Sequence, residues 1–254
     1  MEDFVFSACE KINDFISAGK EGEARDAMIQ LLSELKGQNK AADPLVNHLI
    51  RKLGLYPYIQ MESADLQDQI VHEMFRANVG QKNDITLHRE QSMLLKKLLG
   101  GTNLAVSAPT SFGKSFIIDA FIAMKHPKNV VIIVPTIALT DETRRRLCRK
   151  FSREYNIITT PDVELGEKNI FIFPQERVFG YLDKIEEIDI LIIDEFYKAE
   201  ASSDVRSSIL LKAILELSGK AKQRYFLAPN ISSLESSQFT KGMEFMPVDF
   251  KTVV

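Results

Sequence analysis

The residues best able to do chemistry lie in Ala108-Pro109-Thr110-Ser111-Phe112-Gly113-Lys114-Ser115. An apolar run, Leu104-Ala105-Val106-Ser107, precedes this stretch, and a helical pattern opening with Phe116-Ile117-Ile118 follows it. A glycine-containing loop between strand and helix turns its backbone N–H groups around a phosphate, and the helix N-terminus adds the positive end of its dipole. The backbone of Thr110, Ser111, Phe112 and Gly113 then forms the cradle, with Gly113 allowing close approach. Lys114 reaches the β- and γ-phosphates of ATP, and the Ser115 hydroxyl ligates Mg2+. A second group of acids supports this. The apolar run Ile188-Asp189-Ile190-Leu191-Ile192-Ile193 ends in Asp194-Glu195, 80 positions after Lys114. Asp194 suits the Mg2+ hydration shell, and Glu195 is placed to orient or deprotonate an attacking water. Alone, such a pair often only caps a strand; together with the loop it points to hydrolysis of ATP.

These groups need a scaffold that sets strand ends side by side. Strands are expected at Asn103–Ala108, Asn129–Val134, Asn156–Thr159, Asn169–Phe173, Ile188–Asp194 and Arg224–Ala228, with helices near 114–125, 138–152, 174–183 and 204–218. Near-continuous apolar strands separated by helices predict an α/β fold with a mostly parallel sheet covered on both faces. Ligands on such sheets bind beyond the carboxyl ends of the strands.

Residues 1–80 read as a small all-helical region, and 81–254 as the α/β domain. Phe4, Ala8, Ile12, Phe15 and Ile16 recur at helical spacing, and Ala27, Leu31, Leu32 and Leu35 continue until Gly37. Asp43-Pro44 caps a helix that Gly54 ends, and Ser63 to Phe75 predicts a helix with Leu66, Ile70, Met74 and Phe75 on its apolar side.

Charge assigns tasks to these parts. The chain has 32 Lys+Arg and 35 Asp+Glu, net −3, so binding to nucleic acid must come from a local face. Residues 1–85 carry 9 basic and 14 acidic side chains, and the remainder carries 23 and 21, which directs that face to the α/β part. With 45% hydrophobic and 26% charged residues, the 254-residue chain is neither disordered nor fibrous. Cys9 and Cys148 give no disulfide framework, and four scattered histidines make no zinc site. The apolar runs are too short to span a bilayer, and Met-Glu-Asp-Phe lacks the basic start of a signal peptide. A reduced, soluble, cytoplasmic protein without membrane contact is expected.

The motifs resemble the first motor domain of superfamily 2 helicases of the DEAD/DEAH-box type, over about Leu87 to Phe250. The resemblance implies a RecA-like fold, with motif I at Ala108–Ser115 and motif II at Asp194-Glu195-Phe196-Tyr197. It implies that Gln91 reads the adenine edge. It also implies that Pro135 and Thr136 of motif Ia, with Pro174 and Gln175 of motif Ib, contact a nucleic-acid strand; DNA is favoured over RNA, but the sequence does not decide between them. Ala228, Pro229 and Asn230 stand at motif III, which couples hydrolysis to domain movement. Motif II departs from the family at Phe196 and Tyr197, and motif III at Ala228-Pro229-Asn230, so the coupling chemistry is where this chain differs. The loop, the divergent motif II and the helical extension together resemble helicases of bacterial anti-phage defence systems such as Hachiman.

The resemblance further implies a second RecA-like domain beyond Val254, with Met246 to Lys251 as the link into it, so the chain is expected to be a fragment. The helical region is expected to pack on the motor or bind a protein partner. Phe112 is open to stacking on a base or on the second domain, or to packing on its own helix, and Arg144-Arg145-Arg146 with Arg149-Lys150 to being a solvated helix face or a phosphate-contacting edge. Two rival functions remain: a P-loop ATPase acting on protein, and a nucleotide-binding interaction module.

Overall fold

The computed structural model describes residues 2–38, 43–200, 205–229, 231–234 and 237–250. The chain opens with helices α1 (Glu2–Ser17), α2 (Glu21–Gly37), α3 (Pro44–Lys52) and α4 (Leu66–Met74). The Asp43 carboxylate caps α3 by accepting from the Val46 N–H at 3.0 Å, with Pro44 in the first turn where no N–H is needed. A two-residue antiparallel ladder, β1 (Arg76–Ala77) with β2 (Ile85–Thr86), leads into α5 (Arg89–Leu99).

The helix expected from Ser63 is corrected in start and orientation. Asp65 caps it through the Asp68 N–H at 2.7 Å, and Met61–Ser63 forms a separate 3-10 turn. Asp68 points inward, against Arg51 of α3 at 2.9 Å. This ion pair turns Leu66, Ile70 and Met74 to solvent, while Val71 and Phe75 pack on the core.

Then come β3 (Leu104–Ser107), α6 (Lys114–Lys125), β4 (Asn129–Val134), α7 (Ile137–Phe151), β5 (Asn156–Ile158), β6 (Asn169–Pro174), β7 (Ile188–Asp194), α8 (Val205–Ser218), β8 (Ala221–Ala228) and β9 (Glu244–Pro247). The seven strands from β3 onward form one sheet in the order β5-β6-β4-β7-β8-β3-β9, and every pairing is parallel. Strand alternation sends neighbouring side chains to opposite buried faces. Val130, Ile132, Ile190 and Ile192 join one core cluster, and Val131, Ile133, Leu191 and Ile193 the other.

Two further expectations change. The helix near 174–183 is a 3-10 segment, Gln175–Gly180, followed by turns. The stretch expected as an interdomain link begins within the edge strand β9 at Met246 and Pro247, Val248 and Phe250 are buried, and Lys251 lies outside the described residues. No periodicity in so short a run predicts that pairing; the Glu244 N–H to Asn103 carbonyl bond at 2.8 Å sets its register.

Among the described residues, the helical region shares its core with the α/β part. Ile12, Met28, Leu35, Val46 and Ile50 share one apolar cluster with Leu94, Leu98, Ile117 and Phe121. Among the described residues, no helix is long and apolar enough to cross a membrane.

Candidate nucleotide site and strand-facing edge

β3 ends at Ser107, and the Ala108 N–H donates to the Ala228 carbonyl at 3.0 Å, so the loop leaves the sheet beside the end of β8. Thr110–Phe112 makes one 3-10 turn, and Gly113 then adopts φ +80° before α6 begins. A Cβ at Gly113 would lie 2.9 Å from Gln91 Nε2 and 3.2 Å from Phe116, so both conformation and space demand glycine. Lys114 Nζ donates to the Ala108 carbonyl at 2.9 Å, folded back along the loop.

The register Asp194↔Leu227, between β7 and β8, carries the acids to the same sheet edge as the loop. Thr110, Gly113, Lys114, Ser115, Asp194 and Glu195 line one cleft of about 440 Å³. Burial lowers the Lys114 pKa, opposed by the carboxylates of Asp194 and Glu195. Burial raises the Asp194 pKa, opposed by Lys114 and helped by the charge of Glu195. A partly desolvated carboxylate and a serine hydroxyl lining one cleft are a hard oxygen donor set that suits Mg2+, and the left-handed Gly113 turns the loop directly into α6, whose first residues line the same cleft. These residues fit ATP with Mg2+.

Glu195 has φ +57°, a left-handed conformation uncommon for a residue with a Cβ. Its carboxylate pairs with Lys198, in the 3-10 segment Phe196–Glu200. Such backbone strain gathers at functional sites.

Gln91 sits beneath the loop, 6% exposed, with both amide ends engaged. Its Oε1 accepts from the His88 N–H at 3.0 Å, and its Nε2 donates to the Phe112 carbonyl at 2.7 Å. In this structure it braces the loop. The Phe112 ring is fully buried, edge-on to Phe250 with centroids 6.3 Å apart, which removes it from base stacking. Ser111 lies half-buried in the same turn.

β4 and β6 are neighbours, and Val134↔Pro174 brings motifs Ia and Ib together. The Thr136 hydroxyl caps α7, accepting from the Leu139 N–H at 3.2 Å. Gln175 is buried, and its Nε2 donates to the Arg206 carbonyl at 3.2 Å. Arg206 in turn donates to the Pro135 carbonyl at 2.9 Å and to Glu176 Oε1 at 2.7 Å. Sequence reading missed Arg206, which sits 71 positions from Pro135 and carries no motif.

The basic run divides. Arg146 and Lys150 both pair with Asp119 of α6, which is 1% exposed, and burial lowers Arg146 to about 10. Arg144 and Arg145 pair with Asp141 at 2.9 and 3.0 Å. Two of the five thus tie α7 to the buried Asp119 of α6. At motif III, Ala228 is buried, Pro229 lines the cleft, and Asn230 lies outside the described residues. Past β8, the Ile231 N–H donates to Ser107 Oγ at 2.8 Å, tying this segment to the loop strand.

A parallel sheet carrying a Gly-Lys-Ser loop and an Asp-Glu strand end at one cleft defines a P-loop-type α/β domain. The DEAD/DEAH box helicase family model matches residues 88–227, and the chain belongs to that family, with its RecA-like fold. Residues 1–69 match the family described as "Anti-bacteriophage protein B N-terminal domain". The chain is 33% identical over 251 residues to the anti-bacteriophage protein B of Escherichia coli, across 90% of this chain and 33% of that protein. It therefore spans about a third of the length of the curated relative it matches. Among solved structures, it is similar to the SWI2/SNF2 ATPase core of Sulfolobus solfataricus in complex with dsDNA (TM-score 0.44, 18% identity, 56% of this chain and 31% of that one). It is also similar to the DUF1998 helicase MrfA bound to DNA (TM-score 0.46, 13% identity, 64% and 27%).

Proposed function

We propose that this chain is the ATP-binding part of an ATP-dependent helicase or translocase that moves or unwinds a nucleic-acid strand in anti-phage defence. The observation that carries the reading is the convergence of Lys114, Ser115, Asp194 and Glu195 on one cleft at the carboxyl edge of the sheet. The name of the E. coli relative supports the defence role. The division of labour we infer is a helical region at 1–80 and a first RecA-like domain at 81–254.

In this reading, the loop amides from Thr110 to Gly113 wrap the phosphates, and Lys114 leaves the Ala108 carbonyl to reach the β- and γ-oxygens. Ser115 and Asp194 hold Mg2+, which when bound neutralises charge developing on the phosphates. Glu195 orients the attacking water and accepts its proton. Pro135, Thr136, Pro174 and Gln175 sit at the strand-facing edge, and Ala228 to Asn230 report the nucleotide state to it. DNA is the first substrate to test.

The test is steady-state ATPase of the full-length protein with single-stranded DNA, duplex DNA and RNA in parallel, for wild type and Lys114→Ala. Turnover that rises with nucleic acid and is lost in Lys114→Ala is the expected result. Turnover indifferent to every nucleic acid would reject strand movement, and turnover unchanged in Lys114→Ala would reject the loop assignment.

A further inference from the structure

We propose that the helical N-terminal region forms part of the nucleotide site's support: Phe250, gripped by Arg25 of α2, is the seat for the tip of the phosphate loop, making Arg25 and Phe250 positioning residues for nucleotide binding. This rests on the reading of Ala108 to Ser115 as a phosphate loop.

Two routes run from α2 to the same loop residue. In the first, the Arg25 guanidinium lies 4.6 Å over the Phe250 ring, and Phe250 meets the Phe112 ring edge-on at 6.3 Å. His88 closes the seat, 5.0 Å from Phe250. In the second, Arg25 Nη2 donates to Glu90 at 2.5 Å, and the next residue of α5, Gln91, donates to the Phe112 carbonyl at 2.7 Å. One route thus holds the ring of Phe112 and the other its carbonyl, and both begin at Arg25.

The placement of these contacts gives them consequence. Phe112 ends the 3-10 turn Thr110–Phe112, which runs directly into the cleft-lining Gly113, Lys114 and Ser115, and a Cβ at Gly113 would meet Gln91 Nε2 at 2.9 Å. A shift of the Phe112 ring therefore moves the phosphate-binding amides with it. Phe112 and Phe250 are both fully buried, so the seat is formed before a ligand arrives. A loop ordered in advance avoids the entropy cost of being ordered on binding. Arg25 is suited to the work because a planar guanidinium stacks on a ring while its N–H groups pair with a carboxylate in plane.

The experiment measures equilibrium binding of a fluorescent ATP analogue, the kcat and KM for ATP, and Tm, all in the full-length protein. Arg25→Ala and Phe250→Leu should each weaken analogue binding about 3- to 10-fold, with kcat at saturating ATP within about twofold. Arg25→Lys keeps the charge for Glu90 but not the stack, so it should recover only part of the loss and keeps the test alive if Arg25→Ala fails to fold. Ile12→Val, in the same core but in none of the contacts of the seat, should lower Tm and leave the Kd unchanged. If Arg25→Ala and Phe250→Leu behave like Ile12→Val, the seat is refuted. Lys114→Ala separates the two ideas. Binding lost there but unaltered in the Arg25 and Phe250 variants overturns the seat and spares the loop assignment. Binding unaltered in Lys114→Ala removes the loop assignment and the seat with it.

Discussion

At the loop side of the cleft, Phe112, Phe250 and Gln91 are buried and meet through ring faces and short hydrogen bonds. At the strand-facing edge, Arg206 grips Glu176 through side chains that stay substantially open to water. Buried contacts hold their geometry whatever the ionic strength, whereas exposed ion pairs are worth about 0–1 kcal/mol and yield to a competing anion. The contrast matches the two tasks we propose: the phosphate loop is built in advance, and the strand edge is free to exchange protein carboxylates for backbone phosphates.

The largest effect should come from breaking the buried side. Phe112→Ala removes a fully buried ring and should cost about 3–5 kcal/mol, read by denaturant unfolding; a loss under about 1 kcal/mol would mean the loop is not seated in the core. Glu195→Gln should keep ATP and Mg2+ bound yet slow hydrolysis about 100-fold or more in the full-length protein, as for loss of a general base. Normal turnover in that variant would put the base elsewhere.

Acid should strain the buried side next. Burial, helped by the charge of Arg25, lowers the His88 pKa to about 4, against about 6.5 in an unfolded chain. Between those values the unfolded chain binds a proton that the folded one does not. The stability contributed by neutral His88 is therefore present above about pH 6.5 and is lost as pH falls towards 4, by about 3 kcal/mol in all and about 2 kcal/mol by pH 5. Unfolding of wild type and His88→Gln at pH 7 and pH 5 checks this, since the variant should lose less between the two.

The smallest effect on stability belongs to the exposed edge. Arg206→Ala should change it by no more than about 1 kcal/mol, while lowering the salt dependence of strand binding by about one phosphate contact. A loss as large as that of Phe112→Ala would erase the distinction between the two sides.

The alternation of apolar strands and helices reads directly as a parallel α/β sheet, since each strand is buried on both faces by its own composition. The Gly113-Lys114-Ser115 turn and the Asp194-Glu195 strand end were legible for the same reason: their chemistry sits in consecutive residues. The apolar face assigned to α4 failed because a long-range pair, Arg51 with Asp68, outweighed local periodicity. β9 was missed because its partner strand lies about 140 positions earlier and its own four residues, Glu244–Pro247, do not alternate.

By itself, then, the sequence determined the strand and helix types around the cleft and the residues able to handle a phosphate and a divalent cation. Local chain stiffness and hydrophobic period act over a few residues, and so do these motifs. Only the tertiary structure decided that Phe112 turns into the core, that Arg206 joins motifs Ia and Ib, and that Arg25 and Phe250 meet beneath the loop. Those contacts join residues up to 225 positions apart, between Arg25 and Phe250, and such pairings exist only once the sheet has set its strand order and the helices have packed against it.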